Sequence, residues 1–284
     1  MIAAFEDGFN LVKQFIRLLK SDSLVIGTRE LARAYAKVEL KFLCSAYLKS
    51  QPEPAENILG YKFKLLTYDS FRYLFLEIFL NRDYCFVTDK ESPLIIDCGT
   101  NIGVSILYFK KLYPQARIVG FEPFAQAFNV LKSNVEVNNL QNVTVHNLGL
   151  TGQDGERALF HDPANGGGLR TSFLEQRARG ASTVVTTTVL SKYIDQPVDF
   201  LKMDIEGSEL PVIEELAQTR KLSLVNEMVI EYHHHITKDA DCLARMLSIL
   251  EENDFGYQLR GNFMLPLSKG QFQDILLYAY RKPL

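Results

Sequence analysis

The sequence predicts an α/β fold: a doubly wound, mostly parallel sheet with an N-terminal helical cap. Two observations carry the prediction. From residue 94 onward, short apolar runs (LIID, RIVGFE, VDFLKMDIEG) alternate with stretches of helical periodicity, the pattern of parallel strands joined by right-handed crossovers. The first run ends in a glycine-bearing turn, DCGTNIG, at the place where open parallel sheets bind their ligands.

Taken in order, residues 5–19 space Phe5, Phe9, Val12, Phe15, Ile16 and Leu19 as one helix face, and residues 29–48 repeat the pattern with Leu31, Tyr35, Val38 and Phe42. Pro52 and Pro54 break the chain, and residues 60–67 alternate as a short strand before residues 71–80 turn helical. Residues 1–60 therefore read as a helical cap or interaction region, and residues 61–284 as the main domain. After LIID come a helix at 104–112, the strand RIVGFE, a helix at 124–137 and the strand VTVHNLGL. ERALFHD and TVVTTTVL flank the glycine-rich NGGGLRTSF and read as an insertion beside the sheet. Parallel elements resume with VDFLKMDIEG, a helix at 208–217, LVNEMVIEYHH and a helix at 239–252. GYQLRG and DILLYAYRK, separated by a Pro/Gly-containing turn, close the chain as an antiparallel pair.

The 284 residues, 47% hydrophobic and 23% charged, suffice for one large domain or two small ones. A net charge of -3 offers phosphate backbones or anionic lipid no general attraction, which argues against nucleic acid and membrane partners. Acids and bases interrupt every apolar run of MIAAFEDGFNLVKQFIRLLK, so neither a signal peptide nor a membrane span is expected, and a cytoplasmic protein is. Four scattered cysteines without a Cys-x-x-Cys pair read as reduced thiols.

The turn narrows the ligand. Gly99 can take a backbone conformation that larger residues resist, and Gly103 lets the next helix start close to the strand. Asn101 stands where a dinucleotide site wants bare glycine, and no Gly-Lys-Ser/Thr follows. Asp97 would repel a pyrophosphate but could pair, directly or through water, with the ammonium of a methionine moiety. Glu122, at the end of the second strand, can accept both hydroxyls of a ribose. Together they fit S-adenosylmethionine, with its adenine toward the turn that opens at Leu148. A nicotinamide-dependent oxidoreductase is the rival enzyme reading, and a catalytically silent S-adenosylmethionine binder the rival from another class.

IIDCGTNIG, FEP at 121–123, the Asn-rich tract at 134–140 and above all VDFLKMDIEGSE at 198–209 make the chain resemble the FkbM-type methyltransferases of class I, over roughly residues 68–235. That resemblance implies a Rossmann-like, seven-stranded sheet and O-methylation of hydroxyls on small molecules such as sugars and polyketides. Carried over by position, Asp97, Gly99, Asn101, Gly103 and Glu122 would bind cofactor. Asp204, Glu206 and Glu209 would border its methionine end and the acceptor pocket.

A neutral alcohol must lose its proton as the new bond forms, so a base is needed within hydrogen-bond reach. Asp204 ends the fourth strand at the rim. IEYHHHI ends the fifth, with Glu231, His233 and His235 on one face and Tyr232 and His234 on the other. Asp204, His233 and His234 are thus the candidate bases. Adjacent histidines on a strand point apart, so no metal site is assigned. Arg170 and Ser172 of the glycine-rich loop are candidate acceptor contacts, and residues 67–86 a candidate acceptor wall. The N-terminal helices would cap the acceptor site or form a homodimer.

Overall fold

The computed structural model describes residues 26–48, 55–162, 171–178, 180–237, 242–261 and 270–282. The helix at 5–19, the breaks at Pro52 and Pro54, and Arg170 lie outside the described residues. The first described elements are helix α1 (Thr28–Leu48) and a hairpin of β1 (Ala55–Ile58) and β2 (Tyr61–Lys64). The sequence suggests one strand from residue 60. Instead Leu59 and Gly60 both take positive φ and form the two-residue turn between the strands. The boundary expected at residue 60 thus falls between two paired strands. Helix α2 (Tyr68–Phe75) follows, capped by the Thr67 side chain accepting from Ser70 N, and runs into a π-helical turn at Leu76–Leu80.

The main sheet contains β3 (Leu94–Cys98), β4 (Arg117–Phe121), β5 (Val143–His146), β9 (Val198–Met203), β10 (Val225–His234), β11 (Phe255–Gly261) and β12 (Gln273–Arg281). Its seven strands run in the order β11-β12-β10-β9-β3-β4-β5, parallel from β5 to β10 and antiparallel at β12 and β11. The order reverses at β3, which lies between β4 and β9, so a ligand crevice opens above its carboxyl end. Crossovers run through α3 (Val104–Leu112), α4 (Ala125–Val137), α5 (Glu209–Gln218) and α6 (Leu243–Glu252).

Strand alternation divides the core into two layers. Ile95, Phe200 and Val229 join one cluster with residues of α1 to α4, while Ile96, Leu201 and Ile230 join the other with residues of α5 and α6. In the first layer Phe200 stacks on Phe86 at 4.3 Å and meets Phe109 edge-on at 5.9 Å. Each such fully buried ring contributes about 1.5–3 kcal/mol. α1 enters this layer through Leu31, Tyr35 and Val38 and is tied to α2 by Arg72 donating to both oxygens of Glu39, at 2.8 and 2.9 Å.

The stretch VTVHNLGL divides in two. Asn147 leaves the strand to donate to the carbonyls of Glu122 and Pro123, and β6 (Gly149–Leu150) then joins a separate three-stranded sheet with β7 (Gly155–His161) and β8 (Ala181–Thr188). This is the insertion expected beside the main sheet. Among the described residues no helix is long and apolar enough to cross a membrane, and the four cysteines are free.

Candidate active site

Backbone geometry builds the first wall of the site. Gly99 N and Thr100 N both donate to Phe121 O, while Asp204 N donates to Cys98 O, so the turn is pinned to strands on either side. Gly99 has φ +86, and a Cβ there would stand 1.8 Å from the Asp204 carbonyl oxygen, so only glycine fits. Gly103, at φ +88, lets α3 begin against Leu131.

Above this turn lies a cavity of about 310 Å³. One end is walled by Gly99, Asn101, Glu122, Leu148 and Leu150, the other by Tyr73, Glu77, Arg177, Glu206, Glu231 and Asp274, with Lys202 and Asp204 also lining it. Five sequence-predicted cofactor residues therefore meet at one surface: Gly99, Asn101, Glu122, Leu148 and Asp204. The carboxylate of Glu122 accepts from Asn101 N at 2.9 Å and Phe124 N at 2.8 Å, which fixes it beside the turn. Tyr73, Leu74, Glu77, Ile78 and Tyr84 bring the 67–86 stretch to the cavity as expected, whereas no residue of α1 lines it.

Asp97 lies deeper than the cavity surface. It is fully buried and does not line the cavity. Its register partner across the parallel ladder is Lys202, whose ammonium lies 3.3 Å from Asp97 Oδ1 and donates to Gly99 O at 2.5 Å. Ser105 Oγ donates to the other oxygen at 2.5 Å. The carboxylate thus anchors Lys202 under the turn and cannot reach a ligand ammonium directly. Gly103 likewise shapes the helix start without lining the cavity.

Three other candidates are also displaced. Ser172 is buried, donating to Glu206 O and accepting from Leu174 N, while its neighbours Thr171 and Phe173 line the cavity. Glu209 accepts from Ile205 N and Gly207 N and so closes the loop before α5, outside the cavity lining. His234 lies outside the cavity lining, its ring 5.8 Å from Tyr232 and 3.7 Å from His235. His235 leaves the strand at φ +60, so it does not share the face of Glu231 and His233.

His233 sits beneath the acidic end. Its Nδ1 is 2.9 Å from Glu209 Oε1, and its Nε2 is 3.2 Å from Glu206 Oε2 and 3.8 Å from Asp204 Oδ1. Arg177, which sequence reasoning missed, pairs with Glu206 and lies 4.3 Å over the Phe272 ring. Tyr84, from the 67–86 stretch, donates to Asp204 Oδ2 at 3.3 Å. Lys202 had a readable signal: a lysine inside an apolar strand needs a buried counter-charge.

The family model described as the methyltransferase FkbM domain matches residues 97–259, from the end of β3 into β11. The chain belongs to this family. It is 30% identical over 193 residues to methyltransferase sdnD of Sordaria araneosa, covering 56% of this chain and 74% of that protein. It is 28% identical over 177 residues to methyltransferase 1 of Beauveria bassiana, covering 55% and 70%. The crystal structure of methyltransferase FkbM from Methylobacillus flagellatus KT aligns over 95% of this chain and 58% of that one, at 18% identity and a TM-score of 0.48.

In this FkbM-domain methyltransferase the cavity is strongly acidic, and the acids perturb one another. Burial pushes Glu122 up to about 7, against its two backbone hydrogen bonds. Burial together with Asp204 and Asp83 pushes Glu77 up to about 8. Burial, then Asp204 and Glu77, raise Glu231 well above the usual carboxylate range. Burial alone would favour neutral His233, but Glu209 and Glu206 outweigh it and raise the imidazole well above its ordinary value. Lys202 follows the same pattern: burial opposes its charge, Asp97 and Asp204 prevail, and it stays an ammonium.

Proposed function

We infer that the chain transfers a methyl group from S-adenosylmethionine to a hydroxyl oxygen of a small molecule, such as a sugar, a glycosylated natural product or a polyketide, by in-line displacement. The observation that carries this reading is that Glu122 and Asp204, on the two strands flanking β3, line one cavity across the Gly99 turn. The residues suit the cofactor chemically. Glu122 offers a carboxylate to the ribose hydroxyls, Leu148 and Leu150 offer an apolar wall to adenine, and the acids at the end of β9 oppose the charge of a sulfonium and an ammonium. S-adenosylmethionine, when bound, supplies the electrophilic methyl carbon.

The residues around Asp204 then hold the acceptor oxygen in line. Held by Glu122 and the turn at Gly99, the cofactor would supply its methyl group to that oxygen, its sulfur leaving with the electron pair of the broken carbon-to-sulfur bond. The hydroxyl proton passes to Asp204. We assign the base to Asp204 rather than His233, because Asp204 lines the cavity whereas His233 is buried beneath it and does not.

Calorimetric titration with S-adenosylhomocysteine, NAD and NADP tests the cofactor. Saturable binding of the first alone supports the reading, and binding of a dinucleotide alone overturns it. A methyl-tritiated cofactor offered with a panel of hydroxylated acceptors tests the transfer. Cofactor binding without label in any acceptor points to a silent binder instead.

A further inference from the structure

We propose that the acidic end of the cavity is a divalent-cation site, with Asp204, Glu206 and the Nε2 of His233 as its ligands. One ligand atom from each of the three residues lies within 4.8 Å of the others, and Glu231 and Asp274 form a second such group around the same histidine. With metal-to-ligand distances of about 2.0–2.2 Å, adjacent ligand atoms stand roughly 3.0–3.5 Å apart. Nε2 is 3.2 Å from Glu206 Oε2 and 3.8 Å from Asp204 Oδ1, so both histidine-to-carboxylate separations are close to that range.

Two features of His233 set this cluster apart from a solvated acidic patch. Its side chain is 1% exposed, and Nε2 has no hydrogen-bond partner among the described residues although carboxylates surround it. On the opposite side of the ring, Nδ1 meets Glu209 Oε1 at 2.9 Å. A carboxylate holding Nδ1–H fixes the tautomer that leaves Nε2 free to ligate, the outer-shell arrangement of metal-bound histidines. Glu209 is itself held by Gly207 N and Ile205 N, so the ring cannot turn away. One imidazole with two or more carboxylates favours a first-row transition ion such as Mn²⁺ or Zn²⁺ over Mg²⁺, which prefers oxygen ligands. Arg177 contacts the same Glu206 oxygen and is the cation such an ion must share with or displace.

The role of the ion rests on the methyl-transfer reading; its binding does not. Bound beside the acceptor, a divalent cation polarises the hydroxyl and lowers the demand on the base. It also selects acceptors that present an oxygen to it, hydroxyls rather than carbon.

The test titrates the whole chain with MnCl₂, following loss of the free-ion paramagnetic resonance signal, and repeats the uptake with ZnCl₂ by calorimetry. Wild type should take up one ion per chain. Asp204→Asn, Glu206→Gln and His233→Gln should each weaken uptake by about tenfold or more, and Glu209→Gln by about 10–100-fold. The two isosteric carboxylate variants serve should His233→Gln fail to fold, and thermal melts identify that case. Uptake of neither ion by wild type overturns the proposal, as does uptake that Asp204→Asn and Glu206→Gln leave unchanged. Titration of the same samples with S-adenosylhomocysteine keeps the two readings apart: ion uptake without cofactor binding sinks only the cofactor assignment, and cofactor binding without ion uptake sinks only the metal site.

Discussion

The two ends of the cavity are made differently. At the Gly99 end the surface is largely backbone: one contiguous turn, pinned by Phe121 O and Cys98 O, with Glu122 clamped to it by two main-chain N–H groups. At the Asp274 end it is side chains from separate segments, among them Glu77, Arg177, Glu206, Glu231 and Asp274. A backbone-built surface is set by the fold and tolerates little change. A surface of side chains is set by their burial and mutual electrostatics, and Glu77 and Glu231 are pushed above the ordinary carboxylate range by burial first and then by neighbouring acids. The first kind suits an invariant ligand portion, and the second can vary with the acceptor.

The sharpest way to break this contrast is at Lys202, on which both ends depend. Lys202→Met leaves Asp97 buried without its counter-charge and should cost about 3–5 kcal/mol in a denaturant melt. The double variant Asp97→Asn, Lys202→Met should recover much of that loss, since removing both charges removes the uncompensated one. A single variant that melts like wild type would mean that the pair does not support the turn.

Gly99→Ala follows, at about 2–4 kcal/mol, because the added methyl meets the Asp204 carbonyl and the positive φ is disfavoured. Affinity for S-adenosylhomocysteine should fall in the same variant. A glycine-to-alanine change of this size at the acidic end has no counterpart, because among the described residues no glycine forms that wall.

Glu122→Ala should weaken S-adenosylhomocysteine binding by about 10–100-fold, the value of a charge-assisted hydrogen bond. Since burial holds this carboxyl at about 7, and the ionised form is the better acceptor for ribose hydroxyls, affinity should rise from pH 6 to pH 8 and then level off. Glu122→Gln should bind more weakly and show a flat profile across that window. Equal pH dependence in the two proteins would move the titrating group elsewhere.

The same contrast explains what could be read from the sequence. IIDCGTNIG places its glycines and its neighbouring strand end within a single supersecondary unit, so spacing reports spatial arrangement, and the strands LIID, RIVGFE and VDFLKM appear where expected. The helix expected at 208–217 is found at Glu209–Gln218. The pairing of Asp97 with Lys202 was not legible because the two stand 105 positions apart, and only the register of β3 on β9 brings them together. Arg177 and Asp274 carry no local pattern, and their role emerges from the packing of a loop and the start of β12 around His233. Ser172 looked like an acceptor contact since a glycine-rich loop preceded it, but the isolated bridge between Ser172 and Phe160 turns its hydroxyl inward.

Ser172→Ala therefore gives the smallest effect and a discriminating one. Its hydroxyl joins Glu206 O at 2.5 Å and Leu174 N at 3.0 Å, so its loss should cost about 1 kcal/mol and lower the melting temperature by about 2–4 °C. S-adenosylhomocysteine affinity should stay within twofold of wild type, because the residue touches neither end of the cavity directly. Its effect on the acceptor reaches the site only through Glu206, whose backbone it holds at φ +54. Loosening that strained residue should raise the KM for acceptor more than it lowers kcat. A fall in kcat at unchanged stability and unchanged KM would instead place the serine hydroxyl against the reacting oxygen, and the division between a fixed cofactor wall and an adjustable acceptor wall would have to be redrawn.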